Sequence, residues 1–132
     1  GSLPAGCSHP QVFLPGTLVV QGGGYAEHAE LGQELANWSG VGDWPVILLV
    51  DSTAQATENV QEFLWTFFTR FEPAADIYGK EQLVSRFHVG LKPPIVFDCR
   101  MKPWYTEVLE VDQATKALVD SKYASLIPPR FR

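Results

Sequence analysis

Two neighbouring segments constrain the fold of this chain more than any other part of the sequence. Residues 45–51 (PVILLVD) form a continuous aliphatic run that is rich in β-branched side chains and ends in a carboxylate. This pattern is typical of a strand that is buried on both faces, so it predicts the centre of a sheet. Residues 58–73 follow, and their apolar side chains recur at helical spacing at Val60, Phe63, Leu64, Phe67 and Phe71. Since Trp65 and Phe68 widen this stripe, we expect the helix to need cover on more than one side, from the domain or from a partner.

The remaining segments predict an α/β domain. We expect strands at residues 17–21, 45–51, 74–78 and 94–98, and helices at residues 25–38, 58–70 and 111–126. Strands that alternate with helices indicate crossover connections and parallel pairing. The predicted fold class is therefore α/β, a small, mostly parallel sheet of about four strands flanked by three helices. Residues 79–92 lack a clear period, and we interpret them as a loop with a helical turn at residues 81–85.

The helix ends carry capping signals. Thr53 and Thr57 are both candidate N-caps for the aromatic helix, and Asp112 is the candidate N-cap of the last helix. Pro128 and Pro129 would end that last helix.

Length, charge and cysteine content limit the class of protein. A chain of 132 residues with 45% apolar residues can bury the core of one domain. We interpret residues 1–16 as a tag remnant (Gly1 and Ser2) with a Pro/Gly-rich irregular arm, and residues 17–132 as a single α/β domain. The net charge of −5 argues against nucleic acid as a partner. No membrane span or signal peptide is visible, and Cys7 and Cys99 read as free thiols, so we expect a cytoplasmic protein with no membrane partner.

The glycine run at residues 22–24 is the first candidate site. It lies between a predicted strand and a predicted helix, where backbone N–H groups can hold a phosphate. A dinucleotide-binding pattern would need glycine at the position of Glu27, and the chain has no Gly-Lys-Ser/Thr sequence. We therefore favour a tight turn and keep a phosphorylated ligand as the alternative.

Other combinations of reactive residues do not assemble an active site. The three histidines share no metal-ligand spacing with the cysteines or with paired carboxylates, so no metal site is predicted. The chain has no Gly-x-Ser-x-Gly sequence, and Cys99 at the end of an apolar strand indicates inert core. No catalytic residue is predicted from these patterns.

Charged side chains follow the predicted strands where the strands end, at Asp51, Asp98, Arg100 and Lys102. In open parallel sheets, ligands bind outside the carboxyl ends of the strands. This edge is therefore a candidate ligand-facing surface or interface. The alternative is that these charges hold loops in place through ordinary ion pairs.

Several segments resemble the C-terminal domain of UbiD-type decarboxylases. Residues 17–28 are similar to that family's strand, glycine-containing turn and helix, with His28 near the start of the helix. Residues 46–51 resemble its buried strand, and residues 62–76 resemble its most recognisable stretch, a Trp followed by Thr-Arg-x-x-Pro-Ala-x-Asp. Residues 90–103 contain segments similar to its Gly-x-Lys and apolar-Asp-Ala-x-x-Lys sequences.

The resemblance covers roughly residues 12–126. It departs from the family at residues 51–53 (Asp-Ser-Thr), where a run of aspartates is common. Cys99 and Arg100 also stand where Ala-Thr is usual.

The resemblance implies a lyase that removes or adds CO2 on aromatic or α,β-unsaturated acids with prenylated flavin mononucleotide (prenylated FMN). In the family, the catalytic Arg and Glu residues and the metal belong to a central flavin-binding domain, so no catalytic residue or cofactor is carried over to this chain. The chain would be a C-terminal domain, or a small subunit of a larger carboxylase, that supports a homo-oligomer and closes the substrate cleft.

The resemblance and the strand-end charges together give the site candidates. The substrate-cleft candidates are Phe87, His88, Lys92, Asp98 and Lys102. The interface candidates are Trp65, Phe68 and Trp104. The alternative function is a stand-alone binding or assembly module, with a phosphorylated ligand at the glycine run of residues 22–24.

Overall fold

A computed structural model describes residues 1–108 and 112–126 and is organised around a five-stranded sheet. The strands are β1 (Cys7–Leu14), β2 (Thr17–Gly22), β3 (Val46–Val50), β4 (Ile77–Tyr78), β5 (Gln82–Ser85), β6 (His88–Leu91) and β7 (Ile95–Asp98). The helices are α1 (Leu31–Asn37), α2 (Thr53–Ala56), α3 (Val60–Arg70) and α4 (Gln113–Tyr123), and a short 3-10 turn follows α1 at Ser39–Val41.

The main sheet has the strand order β1-β2-β3-β7-β4. Its centre, β2-β3-β7, is parallel, and both edge strands pair antiparallel to their neighbours. The predicted α/β class and the predicted strands at residues 17–21, 45–51 and 94–98 are confirmed. β4 has only two residues and is shorter than predicted.

The fifth strand, β1, corrects the interpretation of residues 1–16 as an irregular arm. β1 pairs with β2 through a tight turn at Gly16, which has φ 77°. Its register is interrupted between Ser8 and Gln11, around His9 (φ 48°) and Pro10. Proline is tolerated on an edge strand, because the outer side of that strand needs no ladder hydrogen bond. Because of this irregularity, the sequence pattern did not predict β1.

Strand β3 is the buried centre that the aliphatic run predicts. Its residues 47–50 are each 1% exposed or less. One face of the sheet packs against α1 through Leu31, Leu35 and Ala36. The other face packs against α2 and α3 through Ala56 and Phe63. The core therefore has a layer of helix on each side of the sheet.

Helix α1 is shorter than the helix predicted over residues 25–38. Residues 25–30 form turns in which His28 N donates to the carbonyl of Gly24 over 3.2 Å. Gly32 in α1 packs so closely on Tyr78 that an added Cβ would lie 2.5 Å from the tyrosine ring. This close contact joins α1 to the edge strand β4.

The hairpin β5–β6 replaces the predicted loop over residues 79–92, and the predicted helical turn at residues 81–85 is wrong. Its turn residues Arg86 and Phe87 have φ of 50° and 65°. Two consecutive positive φ values are those of a type I′ turn, which glycine and asparagine normally supply. Since Arg86 and Phe87 are neither, the sequence gives no hairpin signal.

The helix caps differ in part from the prediction. Asn59 caps α3, and its Oδ1 accepts a hydrogen bond from Glu62 N over 2.9 Å. Thr53 and Thr57 are not its caps, because Thr53 opens α2 and the Thr57 hydroxyl donates to the Thr53 carbonyl. Asp112 is confirmed as the N-cap of α4, with Oδ1 accepting from Thr115 N over 2.8 Å. The predicted helix start at residue 111 and the prolines at 128–129 lie outside the described residues.

Candidate functional site

Asp98 and Arg100 form a buried ion pair at the carboxyl end of β7, and both are 0% exposed. Arg100 Nε donates to Asp98 Oδ1 over 2.9 Å, and its Nη2 donates to Oδ2 over 2.6 Å. The third nitrogen, Nη1, donates to the carbonyls of Gly23 (2.9 Å) and His28 (3.0 Å). The planar guanidinium therefore ties β7 to the turn that follows β2.

Lys102 forms a second buried pair with Asp76, with Nζ 2.9 Å from Oδ2. Its Nζ also donates to the carbonyls of Arg70 (2.7 Å) and Asp98 (2.5 Å), so all three ammonium donors are used. The rings of Tyr25 and Tyr105 lie 5.6 Å from Nζ, within cation–π range.

Arg70 and Asp51 form a third, part-buried pair, with Nη1 3.2 Å from Oδ2. The same carboxylate oxygen accepts a hydrogen bond from Met101 N over 2.8 Å. Asp76 in turn accepts from Glu72 N over 2.7 Å. The Thr-Arg-x-x-Pro-Ala-x-Asp stretch thus supplies Arg70 and Asp76, which link the end of α3 to the strand ends.

We call these three pairs (Asp51–Arg70, Asp76–Lys102 and Asp98–Arg100) the ion-pair network. They decide between the two interpretations of the strand-end charges, which were a ligand-facing surface and charges that hold loops in place. Their charged groups bond to one another and to the backbone, as expected for charges that hold loops in place. Asp98 and Lys102 are buried, so their interpretation as substrate-cleft residues is corrected: neither presents its charge to an open cleft of this chain.

The other cleft candidates lie on the β5–β6 hairpin or beside it. Phe87 and His88 are exposed at its turn, and Lys92 Nζ lies 2.5 Å from Glu81 Oε2. The hydrogen bond from Lys92 lowers the pKa of Glu81. The five candidates therefore fall in two regions, because the hairpin is a sheet of its own. A contact between the hairpin and a substrate stays a prediction.

The first glycine of the run at residues 22–24 is required by packing. A Cβ on Gly22 would lie 2.8 Å from Leu49 Cδ1 and 3.1 Å from Arg100 Cδ, so only glycine fits there. Helix α1 begins at Leu31, well beyond the run, so the helix N-terminus that a phosphate site requires is not beside it. The alternative of a phosphorylated ligand at residues 22–24 assumed a helix that starts directly after the glycine run, and that assumption is wrong.

The interface candidates lie on an open apolar surface. Trp65 is 57% exposed, Phe68 66% and Trp104 62%. The inner face of α3 is formed by Phe63, Thr66 and Arg70, whereas Val60 and Leu64, which the stripe placed inward, are exposed. An apolar patch of this kind is typical of an interaction surface.

Two of these aromatic residues line one open cavity of about 440 Å³, which we call the Trp65–Trp104 groove. Its walls are Trp65, Thr69, Arg70, Met101, Trp104, Tyr105, Thr106, Glu107 and Val108. The Trp104 indole N–H donates to Glu72 Oε1 over 3.1 Å, and its ring meets that of Tyr25 edge-on at 5.5 Å. Both contacts fix the orientation of Trp104, so the groove has one preformed wall.

The pKa shifts indicate packing rather than reactivity. Burial is the main cause that raises the pKa of Tyr78 and of Tyr105 to about 12 each. Burial also raises the pKa of the Cys7 thiol to about 11 and that of Cys99 further. The predicted free thiols are confirmed, and the shifts keep both protonated and weakly nucleophilic at neutral pH.

Sequence reasoning missed the roles of Arg70 and Asp76 in the ion-pair network. The sequence carried a sign of these roles, since Arg70 is a charged residue at the end of the inner face of α3 and Asp76 directly precedes β4. Their partners Asp51 and Lys102 are far from them in sequence, so only the fold could pair them.

Comparison with known proteins finds relatives among the chlamydiae. An uncharacterised protein of Chlamydia trachomatis is 33% identical over 127 residues, which is 96% of this chain and 21% of that protein. A Chlamydia muridarum protein is 34% identical over 92% of this chain and 20% of its own length. A Chlamydia pneumoniae protein, named as one of the subunits of 4-hydroxybenzoate decarboxylase, is 33% identical over 64% of this chain and 15% of its own length. This chain thus spans about a fifth or less of the relatives that it matches.

No family model matches the sequence. Among solved structures, the vanillic acid decarboxylase of Sedimentibacter hydroxybenzoicus is 15% identical, with a TM-score of 0.47 over 84% of this chain and 27% of that one. Within residues 1–108 and 112–126, no helix has the length and apolar character needed to cross a membrane.

Proposed function

We propose that this chain is a non-catalytic assembly domain or small subunit of a UbiD-like decarboxylase. The observation that carries this proposal is the 33% identity to the C. pneumoniae protein that is named as part of a 4-hydroxybenzoate decarboxylase. The resemblance at residues 62–76 supports it, because Arg70 and Asp76 of that stretch build the ion-pair network.

The charged groups at the strand ends, which were the candidates for acid or base chemistry at that edge of the sheet, are engaged in holding the fold. Each charged member of the ion-pair network bonds to a partner side chain, and Lys102 uses all its donors. A general acid or base needs a proton position that is open to the substrate. We therefore assign the chemistry to a larger flavin-binding domain or subunit, which would hold prenylated FMN, and we assign assembly to this chain.

The proposed assembly surface is the exposed apolar face of α3 together with Trp104, which lines the same groove as Trp65. Trp65, Phe68 and Trp104 are large, exposed and apolar, and aromatic residues of this kind dominate the energy of many interfaces. The hairpin β5–β6 is the part proposed to close the substrate cleft, with Phe87 and His88 at its tip. The proposed substrate class is an aromatic acid such as 4-hydroxybenzoate.

A chimera tests this proposal. The matched segment of the C. pneumoniae protein is replaced by this chain, and CO2 release from 4-hydroxybenzoate is measured with prenylated FMN bound. We expect the chimera to be active and the isolated chain to be inactive. Supplying the same chain as a separate polypeptide distinguishes a small subunit from a fused domain.

Single substitutions in the chimera separate assembly from cleft closure. Trp65→Asp should lower both complex formation and activity, whereas Trp65→Phe, which keeps an aromatic ring, should preserve both. His88→Ala should raise the KM for 4-hydroxybenzoate and leave the complex intact. An assembled, cofactor-loaded chimera without decarboxylase activity would contradict the proposal, as would decarboxylation by the isolated chain.

A further inference from the structure

The guanidinium of Arg70 is only partly used by the fold. Its Nη1 donates to Asp51 Oδ2 over 3.2 Å, whereas no described residue accepts a hydrogen bond from its Nε or Nη2. The side chain is 10% exposed. Neither nitrogen is sealed from solvent, since Thr53 Oγ1 is the one buried side-chain polar atom without a partner in the described part of the chain. Arg70 therefore keeps a free hydrogen-bonding edge that solvent still reaches.

This free edge belongs to the Trp65–Trp104 groove. Arg70 is one of the residues that line the groove, and because so little of its side chain is exposed, we assign the groove as the opening to its Nε and Nη2. Trp65 and Trp104 are 57% and 62% exposed on the same groove. A cation with unused donors thus lies between two large, exposed aromatic side chains.

The acids near the groove do not complete Arg70. Glu107 also lines the groove, but it is exposed and no ion pair joins it to Arg70. Glu72 Oε1 accepts from the indole of Trp104. Asp51 takes one of the three nitrogens and leaves the other two. The planar edge that remains has the geometry that binds a carboxylate through two parallel hydrogen bonds.

Any segment that covers the groove also removes solvent from this edge. A purely apolar segment would leave the Nε and Nη2 donors of Arg70 buried without an acceptor, which costs free energy. A segment that brings a carboxylate satisfies both donors and adds a charge pair, and such pairs also select the correct partner and its orientation. The chemistry of the groove therefore specifies its cover as acidic at Arg70 and apolar between Trp65 and Trp104.

We propose that the flavin-binding part of the decarboxylase covers the Trp65–Trp104 groove with a segment that carries an Asp or Glu. Its carboxylate binds the free edge of Arg70, and an apolar side chain beside it packs between Trp65 and Trp104. The match covers 21% of the C. trachomatis protein, so most of that relative is available to supply such a segment. This inference rests on the proposed function and names what the partner presents at the assembly surface.

Hydroxyl-radical footprinting of the chimera tests whether the groove is covered. Trp65 and Trp104 should be oxidised readily in the isolated chain and protected in the chimera. Arg70→Met should lose this protection, because the carboxylate of the covering segment would be buried without its partner. Asp51→Asn is the matched control. It breaks the same pair within the chain but keeps the guanidinium, so the protection should remain.

Carbodiimide coupling identifies the carboxylate, since the reagent joins an amine to a carboxylate in contact with it. A chimera with Arg70→Lys and Asp51→Asn places an amine at the groove and removes the acid that Arg70 binds in its own chain. We expect mass spectrometry to find residue 70 joined to an Asp or Glu of the flavin-binding part. Arg86→Lys, on the exposed hairpin turn, should give no link to that acid. This test also applies if Arg70→Met fails to fold.

Three results would overturn the inference. Trp65 could be oxidised equally in the chimera and in the isolated chain, which would mean an uncovered groove. Arg70→Met and Asp51→Asn could lose protection alike, which would mean that only the pair within the chain matters. Residue 70 could couple to Glu107 alone or to no acid, which would mean that no partner carboxylate reaches Arg70.

The activity of the chimera reports separately on the proposed function. An active chimera with an open groove contradicts only the contact at Arg70. A chimera that is protected and coupled at the groove, holds its cofactor and releases no CO2 contradicts only the decarboxylase role.

Discussion

At the scale of single residues, Arg100 holds the end of β7 and the turn after β2 together. It bonds to Asp98 on β7 and to the carbonyls of Gly23 and His28 in the turn after β2. We predict that Arg100→Met lowers the free energy of unfolding by about 3–5 kcal/mol, because it leaves the Asp98 carboxylate buried without a partner. Urea denaturation followed by circular dichroism measures the change.

The matched control for Arg100 is Arg86→Met on the exposed hairpin turn, which should change stability by about 0.5 kcal/mol or less. Replacing both buried partners, with Asp98→Leu and Arg100→Met, should recover part of the loss, since neither charge is then stranded. A loss below about 1 kcal/mol for Arg100→Met alone would show that the Asp98–Arg100 pair contributes little to the free energy of unfolding.

Tyr78 makes the stability of the fold depend on pH in the alkaline range. Burial, with a smaller contribution from Asp98, raises its pKa to about 12, whereas an unfolded tyrosine has a pKa of about 10. The folded state therefore keeps its proton where the unfolded state releases it. The stabilisation is complete below pH ~10 and is lost as the pH rises towards ~12. We predict that the free energy of unfolding falls over this range.

Tyr78→Phe should make that alkaline decrease less steep without removing it, because the pKa of Tyr105 is also raised to about 12. Denaturation midpoints measured at several pH values above 9 compare the two slopes. Equal slopes for wild type and variant would mean that Tyr78 titrates normally in the fold.

At the scale of elements, α3 has an inner aromatic face and an outer aromatic face with different roles. Phe63 is buried against Phe13 and Phe67, while Trp65 is exposed. We predict that Phe63→Ala costs about 3–5 kcal/mol of stability, because it leaves a cavity in the core. Trp65→Asp should cost about 0.5 kcal/mol or less in the monomer. Thermal unfolding of both variants gives the comparison, and an unfolded Trp65→Asp chain would contradict the assignment of the outer face to assembly.

At the scale of the whole molecule, we expect the sheet and the helices that cover it to fold without α4. Because α4 buries no residue, a chain that ends at Val108 should keep its sheet and core intact. We predict that this truncated chain and the 132-residue chain have denaturation midpoints equal within error, as measured by urea denaturation. A truncated chain that fails to fold would show that residues beyond 108 support the core.

The elements that could be predicted from sequence are those with a strong local signal. The aliphatic runs at β2, β3 and β7 could belong only to a buried sheet, and Asp112 caps α4 through a contact three residues away. The two-sided aromatic character of α3 indicated exposed apolar surface, and Trp65, Phe68 and Trp104 are exposed.

The elements that were missed depend on contacts distant in sequence or on unusual backbone. β1 is interrupted at His9 and Pro10, and the β5–β6 turn uses positive φ at residues without that preference. Helix α1 starts at Leu31, and the turns before it bind through the carbonyls of Gly23 and His28 to Arg100, which is far along the chain.

By itself, the sequence determined the α/β class, the buried central strand and the excess apolar surface of α3, because each follows from side-chain periodicity within one segment. Only the tertiary structure decided what the charges at the strand ends do. Asp98 and Lys102 looked available for a ligand, and the fold buries both against partners that sequence distance conceals. Two charged side chains pair when the fold brings them together in space, and these side chains come together only once the sheet has formed.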